Sequence, residues 1–466
     1  MAEFATPETL YAQSGELSIA YQVFGRGDRD LVYVPGIVSN VEFAWEDPFM
    51  AAFLRRFGEA FRVIMFDKRG QGMSDRIDGV SSLEERIDDL RAVMEAAGSQ
   101  RATLFGLSEG GPLAILFATS YPEKVERLAL FGSLARFVGA QDYPFRPALE
   151  VFIDDFVAAW GKNALAPLME PDRGYPPGYR DLLAKFERMG ATPTAMRKFL
   201  LANERIDVRP ILADVRVPTL IIHRRKDRAV FRGNGRYLAD NIPRAVYLEL
   251  PGRSHLPWLG DAEMVVEAVE RFADVAAPGA ATHEFDQRKL ATALFTDIAR
   301  STEQLAALGD QRWREVLDQH DRVASDLVGQ FRGQIIKNTG DGILALFDGP
   351  ARAVRCAQQL IAEMEGIGLA VRAGLHVGEV VRRGDDVTGL AINIAARVME
   401  QAAAGDLLLT RTLMDLTGGS GIGFAPAGSH ELKGVPGVFD LFRPAQSDQP
   451  WWTDPMASTD ASVSPA

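Results

Sequence analysis

Cysteine is almost absent: Cys356 is the single one in 466 residues. It has no partner for an intramolecular disulfide, which excludes a small secreted scaffold held by such bonds and predicts a reducing, cytoplasmic setting. Long apolar runs are also lacking, since no stretch approaches the ~18 uninterrupted apolar residues of a membrane span. The opening residues MAEFATPETLYAQ show neither the basic nor the apolar segment of a secretory leader. Positive charge is the minority sign, with 51 Lys and Arg against 63 Asp and Glu, a net charge of −12 and an isoelectric point near 5.2. A protein that grips a nucleic-acid polymer through its phosphates carries the opposite excess, so that class is excluded, whereas small phosphorylated ligands stay open. What is there describes a soluble globular chain: 47% apolar and 24% charged residues, with 43 Gly and 25 Pro. At about 150 residues per domain the length allows two or three domains.

Between residues 17 and 132 the β-rich runs LVYVPG, FRVIMFD, ATLFGLS and RLALFG alternate with helical patterns near 81–97 and 110–121. That rhythm predicts a parallel sheet with crossover helices. From 133 to 212 the strand signal gives way to aromatic, Pro-containing helical stretches, read as an insertion. Strand patterns resume at PTLIIH and AVYLEL, and a helix around 261–275 closes a first domain, 1–275. Ala, Pro and Gly then mark a linker at 276–285. The second domain, 286–445, begins with the strand LATALFTD. One amphipathic helix is predicted over 301–330, with Trp313, Val316, Leu317, Val323, Leu327 and Phe331 on its buried stripe. Two strands around a tight turn follow in QIIKNTGDGILALF, then a helix near 350–365, a strand in VRAGLHVGEVV, a helix near 388–403, and strand-like ends at DLLLT and VFDLFRP. Residues 446–466 contain no Lys or Arg and are expected to be disordered.

The string Gly106-Leu107-Ser108-Glu109-Gly110 follows a β-run and opens a helix, the setting of a nucleophile elbow. Glycines flank the serine because side chains there would collide in so sharp a turn. A serine hydroxyl needs a base, and the base needs a carboxylate to fix its tautomer. Asp227 follows the strand PTLIIH and His255 lies in the loop GRSH, giving the chain order Ser108, Asp227, His255. His223 is the competing histidine, but it falls inside the strand. The backbone N–H groups of Ile37, after Pro35-Gly36, and of Glu109 are the natural oxyanion donors. These residues, with FDKRGQGMSD at 66–75, resemble the α/β-hydrolase superfamily over about residues 17–275, and 133–212 falls where that family carries its lid. The family often has His-Gly ahead of the oxyanion residue, where this chain has Pro35-Gly36. A serine nucleophile implies ester or related acyl chemistry on a small ester or acyl ligand. The domain either turns such a ligand over or senses it for its neighbour.

In the second domain LFTDIARST ends a strand on Asp297, and Asp341 stands in the turn Gly340-Asp341-Gly342. Two carboxylates on neighbouring strand ends suit hard divalent cations. Asn393 and Arg397, four residues apart, share one helix face. Together LFTDIARST, KNTGDG, RAGLHVGEV, GDDVTGLAINIAARV and HELKGVPG resemble the class III nucleotide cyclase catalytic domain, a ferredoxin-like α+β fold, over about residues 286–443. The resemblance implies that Asp297 and Asp341, with the Ile298 carbonyl, hold two Mg²⁺ or Mn²⁺ ions. It makes Asn393 and Arg397 the residues at the transition state, and places Lys337 and Asp386 where the base is chosen. A lysine can donate to adenine N1 and an aspartate can accept from N6, so the pair predicts ATP over GTP and cyclic AMP as product. The family assembles its site from two protomers, which implies a homodimer here. Two alternatives remain: an ester hydrolase with a nucleotide-binding regulatory domain, and a signalling protein whose sites bind without reacting.

Overall fold

The runs Ala102–Leu107 and Thr219–Arg224 are buried at every position, as strands are when helices cover both faces of their sheet. In the computed structural model, which describes residues 6–145, 153–274, 288–383 and 386–445, they belong to an eight-stranded sheet. Its strands are β1 (Leu10–Ser14), β2 (Leu17–Phe24), β3 (Asp30–Val34), β4 (Arg62–Phe66), β5 (Ala102–Leu107), β6 (Val125–Phe131), β7 (Thr219–Arg224) and β8 (Val246–Leu250). They lie in the order β1-β2-β4-β3-β5-β6-β7-β8, parallel from β4 to β8, with β1 and β2 antiparallel. The chain runs from β3 outward to β4 and then returns to β5 on the other side. The carboxyl ends of β3 and β5 are therefore neighbours at a reversal of strand order, where α/β sheets open a crevice. Val34 pairs with Gly106 there, which brings Gly36 and Ile37 beside Ser108.

Between β6 and β7 the described residues form helices Ile153–Ala158, Ala166–Met169, Tyr179–Gly190 and Pro193–Asn203, followed by a 3₁₀ turn at Arg209–Asp214. Tyr179–Gly190 turns Leu183 and Phe186 onto the same apolar cluster as Phe53, Phe105 and Trp258.

A second sheet holds β9 (Arg288–Ile298), β10 (Gln334–Asn338), β11 (Ile343–Phe347), β12 (Val371–Arg383), β13 (Asp386–Thr388), β14 (Leu407–Thr410), β15 (Gly423–Glu431) and β16 (Val438–Ala445). The order is β10-β11-β9-β12-β14-β16-β15, with β13 paired to β12. Alternation along β9 divides its faces: Leu290 and Leu294 join the core under Asp310–Gln330 and Pro350–Gly366, while Ala291 and Ala293 pack with Ala391 and Ile392 of helix Leu390–Gln401.

The single helix expected over 301–330 is two, Ser301–Leu308 and Asp310–Gln330. Gly309, at φ +76 and ψ 162, takes a backbone conformation that leaves the helix and that only glycine adopts without strain, and its N–H closes on the Leu305 carbonyl. His320, fully buried, shares the stripe with Trp313 and Leu327. Strands β1, β2, β13 and β15 were not expected; GFAPAGSHE of β15 is too small and polar to show a strand pattern. The linker at 276–285 and the tail at 446–466 lie outside the described residues.

One apolar cluster joins the two halves, from Leu90, Val93 and Leu113 to Leu290, Trp313 and Val354. Polar contacts ring it: Arg352 donates to Glu84 at 2.6 Å and to Asp88 at 2.9 Å, the Ala351 N–H donates to Glu84 at 2.7 Å, and the Tyr121 hydroxyl donates to Asp348 at 2.8 Å.

Candidate functional sites

Ser108 follows β5 directly and precedes helix Gly110–Ser120, and its φ of +53 lies in the left-handed region that a side chain avoids without strong local constraint. The constraint is visible: the Ser108 N–H donates to the Phe131 carbonyl at 2.9 Å, and Ser133 Oγ donates to the Ser108 carbonyl at 2.9 Å. A Cβ on Gly110 would lie 2.5 Å from the Pro35 carbonyl oxygen, so only glycine permits this approach of the elbow to the β3 loop.

Asp227, past β7, is buried and saturated. One oxygen accepts from the Ala229 and Val230 N–H groups at 2.9 and 3.0 Å, and the other accepts from His255 Nδ1 at 2.7 Å. A proton on Nδ1 leaves Nε2 as the free base of the ring. His255 and Ser108 line the same cleft. His223 is instead packed inside, with Nε2 against the Val230 carbonyl at 2.8 Å and burial pulling its pKa down. Sequence reasoning missed Gly132, which stands at φ +55 behind the imidazole; a Cβ there would come within 3.0 Å of His255 Cε1 and 3.3 Å of Asp227 Oδ2.

Ile37 and Glu109 are buried, and among the described residues neither backbone N–H donates to a protein acceptor. Beneath them lies a set of buried charges. Glu109 accepts from Lys68 Nζ at 2.6 Å and from Arg86 Nη1 at 2.6 Å. Lys68 also donates to the Gly36 carbonyl, and Arg86 donates to Asn203 at 2.9 Å. The Phe199 ring covers both cations, 4.4 Å from Lys68 Nζ and 4.6 Å from Arg86 Cζ. Burial draws the Lys68 ammonium down to about 8 against the opposing charge of Glu109. Nearby Asp67 is pushed up to about 6 by burial, with one oxygen held by the Val41 and Met73 N–H groups.

The cleft over Ser108 is walled by Ile37, Leu165, Met169, Leu183, Phe186 and Trp258, and among the described residues no Lys or Arg lines it. Such a wall suits an uncharged apolar group and gives nothing for an anion to pair with.

In the second half Asp297 ends β9 and Asp341 sits in the turn between β10 and β11; the Ile298 N–H donates to the Asp341 carbonyl at 2.8 Å. Burial raises the Asp297 carboxyl above its usual range and the charge of Asp341 adds to the rise, while Arg372 at 2.5 Å opposes it. Ser301 Oγ donates to Asp341 at 2.5 Å. Among the described residues no group of three His, Cys, Asp or Glu side chains gathers. Two facing carboxylates fit a hard cation that completes its shell with water, backbone and phosphate oxygens, as Mg²⁺ does. Lys337 and Asp386, 49 residues apart, meet at 3.1 Å on the protein surface. Asn393 is exposed on helix Leu390–Gln401, and Arg397, one turn on, pairs with Glu400. Among the described residues no hydrogen bond or ion pair joins that helix face to the other four side chains. Arg372, inside RAGLHVGEV, is a site residue that sequence reasoning passed over.

An eight-stranded, mostly parallel sheet with a serine elbow and a His-Asp pair at its carboxyl edge defines an α/β hydrolase. The pattern of the alpha/beta hydrolase fold matches residues 31–261, and the chain belongs to that family. Pimeloyl-[acyl-carrier protein] methyl ester esterase of Neisseria meningitidis serogroup C / serotype 2a is 32% identical over 186 residues, 38% of this chain and 72% of that protein. The crystal structure of an esterase from Rhodococcus sp. ECU1013 shares the fold, with a TM-score of 0.50 at 22% identity over 58% of this chain and 99% of that one. A further relative, "Putative adenylate cyclase 3" of Rhizobium meliloti (strain 1021), is 31% identical over 133 residues; these are 27% of this chain, which spans only 22% of that protein. Among the described residues no helix is long and apolar enough to cross a membrane.

Proposed function

We propose that the N-terminal half is a serine ester hydrolase for a compact, uncharged acyl group. The observation that carries this reading is the 2.7 Å bond from His255 Nδ1 to a saturated Asp227, in a cleft shared with a strained Ser108 and with two N–H groups, of buried Ile37 and Glu109, that have no acceptor among the described residues. Ser108 Oγ attacks the ester carbonyl carbon while His255 Nε2 takes its proton, and Asp227 stabilises the imidazolium. The N–H groups of Ile37 and Glu109 hold the oxyanion. His255 then protonates the departing alkoxide, and a water deprotonated by His255 cleaves the acyl-serine. Wild-type protein is expected to hydrolyse short p-nitrophenyl esters with an acyl burst, and Ser108→Ala to lose at least about 10³-fold in kcat. Equal rates in the two proteins would sink the reading and favour a ligand-sensing role.

A second reading concerns the C-terminal half: an adenylate cyclase that converts ATP to cyclic AMP and pyrophosphate. The approach of Lys337 to Asp386 favours it, because this pair has the donor and acceptor that adenine N1 and N6 require. Asp297, Asp341 and the Ile298 carbonyl are the residues to hold Mg²⁺ or Mn²⁺, which would supply Lewis acidity toward the ribose 3′-hydroxyl and the triphosphate. Among the described residues Arg397 and Asn393 make no hydrogen bond or ion pair with Asp297 or Asp341 of their own chain, and they serve the site of a second copy. The exposed Leu390 at the start of their helix, 58% accessible, suits a surface that such a copy covers. Purified protein with ATP and Mg²⁺ should yield cyclic AMP, with GTP a poorer substrate. Asp297→Ala and Arg397→Ala chains, each inactive, should recover activity on mixing; no recovery refutes the shared site, and a preference for GTP refutes the roles of Lys337 and Asp386.

A further inference from the structure

We infer that Lys68 is the positioning residue that orients both oxyanion donors of the Ser108 site through one buried ammonium group. The inference rests on the hydrolase reading. Lys68 is not among the residues that line the cleft. It acts on the two residues whose N–H groups flank the serine.

In a trans peptide the carbonyl oxygen and the following N–H point in opposite directions. The Gly36 carbonyl and the Ile37 N–H share one such unit. By holding the Gly36 oxygen, the Lys68 ammonium turns the Ile37 N–H away from itself and leaves it without an acceptor among the described residues. A rotation of that plane would bring the carbonyl oxygen toward the reacting centre, where it would repel developing negative charge. Gly36 stands close enough to Ser108 for this to matter: a Cβ on it would lie 3.3 Å from Ser108 Cβ.

The same ammonium holds the second donor. Glu109 supplies its N–H from the first step of the helix after Ser108, and its carboxylate is tied down by Lys68 and Arg86 at 2.6 Å each. Three directions leave the Lys68 nitrogen, and the structure fills all three: the Gly36 carbonyl, the Glu109 carboxylate and the Phe199 ring. A buried lysine serving only stability would be a poor choice, because apolar replacement of a buried ion pair is often neutral or favourable. Its placement across both donors accounts for its presence.

The test uses the full-length protein and three variants: Lys68→Met, Glu109→Gln, and the two combined. Lys68→Met should lower kcat for p-nitrophenyl acetate at least about 30-fold with KM changed less than about threefold, since removing even one direct oxyanion donor costs 10²–10³-fold. Affinity for an alkyl boronic acid, whose tetrahedral adduct on Ser108 needs the hole, should fall by the same factor. The double variant leaves Arg86 as the one remaining charge of the three, and its rate is expected to stay as low as that of Lys68→Met. Recovered rate in the double variant overturns the inference, because the loss would then come from the Glu109 charge, still paired with Arg86, and not from the missing hold on the Gly36 carbonyl. An unchanged kcat in Lys68→Met overturns it as well. If Lys68→Met does not fold, the double variant set against Glu109→Gln reads the same contrast. A wild type inert to both the ester and the boronic acid overturns the hydrolase reading itself, whereas an active wild type with equally active variants overturns the role of Lys68 alone.

Discussion

At the scale of single residues, reactive groups are held by neighbours that do no chemistry. Gly132 is the sharpest case, since its missing Cβ is the space in which the His255 ring stands. Gly132→Ala combines a contact of about 3 Å with a left-handed φ that costs about 1–2 kcal/mol outside glycine. It should lower esterase kcat by at least about tenfold while leaving the fold intact by circular dichroism; an unchanged kcat would show that the ring has room to move. Ser108, Asp227 and His255 were legible because a nucleophile, a base and a carboxylate must occur in that order after the right strands. Gly132, Arg86 and Arg372 were not, since each matters only through what another part of the chain places against it. Lys68 was visible inside FDKRGQG, but nothing in that string says that its ammonium reaches Glu109, 41 residues on.

At the scale of elements, helix Leu83–Ala96 has two duties. A capping box between Ser82 and Glu85 starts it. One side sends Arg86 to Glu109 beneath the serine elbow, and the other presents Glu84 and Asp88 to the first turn of helix Pro350–Gly366 in the second half. Glu84 is almost completely buried, and burial raises its carboxyl pKa while Arg352 opposes the rise. Glu84→Ala leaves the Ala351 N–H without its acceptor and takes one carboxylate from Arg352, a loss of about 3 kcal/mol for a broken buried pair. The expected outcome is a lower melting temperature together with faster hydrogen exchange in peptides covering the start of Pro350–Gly366. Unchanged exchange there would show that the apolar contacts alone dock the halves. The amphipathic pattern of Asp310–Gln330 was readable; its separation from Ser301–Leu308 depended on the conformation of Gly309, which sequence alone leaves open.

At the scale of the whole molecule, the boundary between the halves carries like charges as well as pairs. Asp214 is raised to about 6 by burial and by facing Glu379 of the second half. Asp415 of the second half is likewise raised to about 6, by burial first and then by Asp207 of the first, with Arg411, Arg136 and Arg209 opposing. A carboxyl whose folded pKa exceeds its unfolded value binds protons more readily in the folded state. Its contribution to stability is therefore greatest in acid and falls as pH rises from about 4 through about 6. Asp415→Asn should accordingly raise the melting temperature at pH 7.5 and make little difference at pH 4.5; a lower melting temperature at pH 7.5 would show that the arginines hold Asp415 as a needed anion. The sequence by itself determined the α/β rhythm, the elbow with its ordered partners, and the motif set of the second half. These depend on local turns and on side chains recurring at fixed spacing. Only the tertiary structure decided that both halves share one core, that Lys337 meets Asp386, and that a single lysine reaches from Gly36 to Glu109. Such contacts join residues far apart in the chain, and burial and direction in space, which no local pattern encodes, select them.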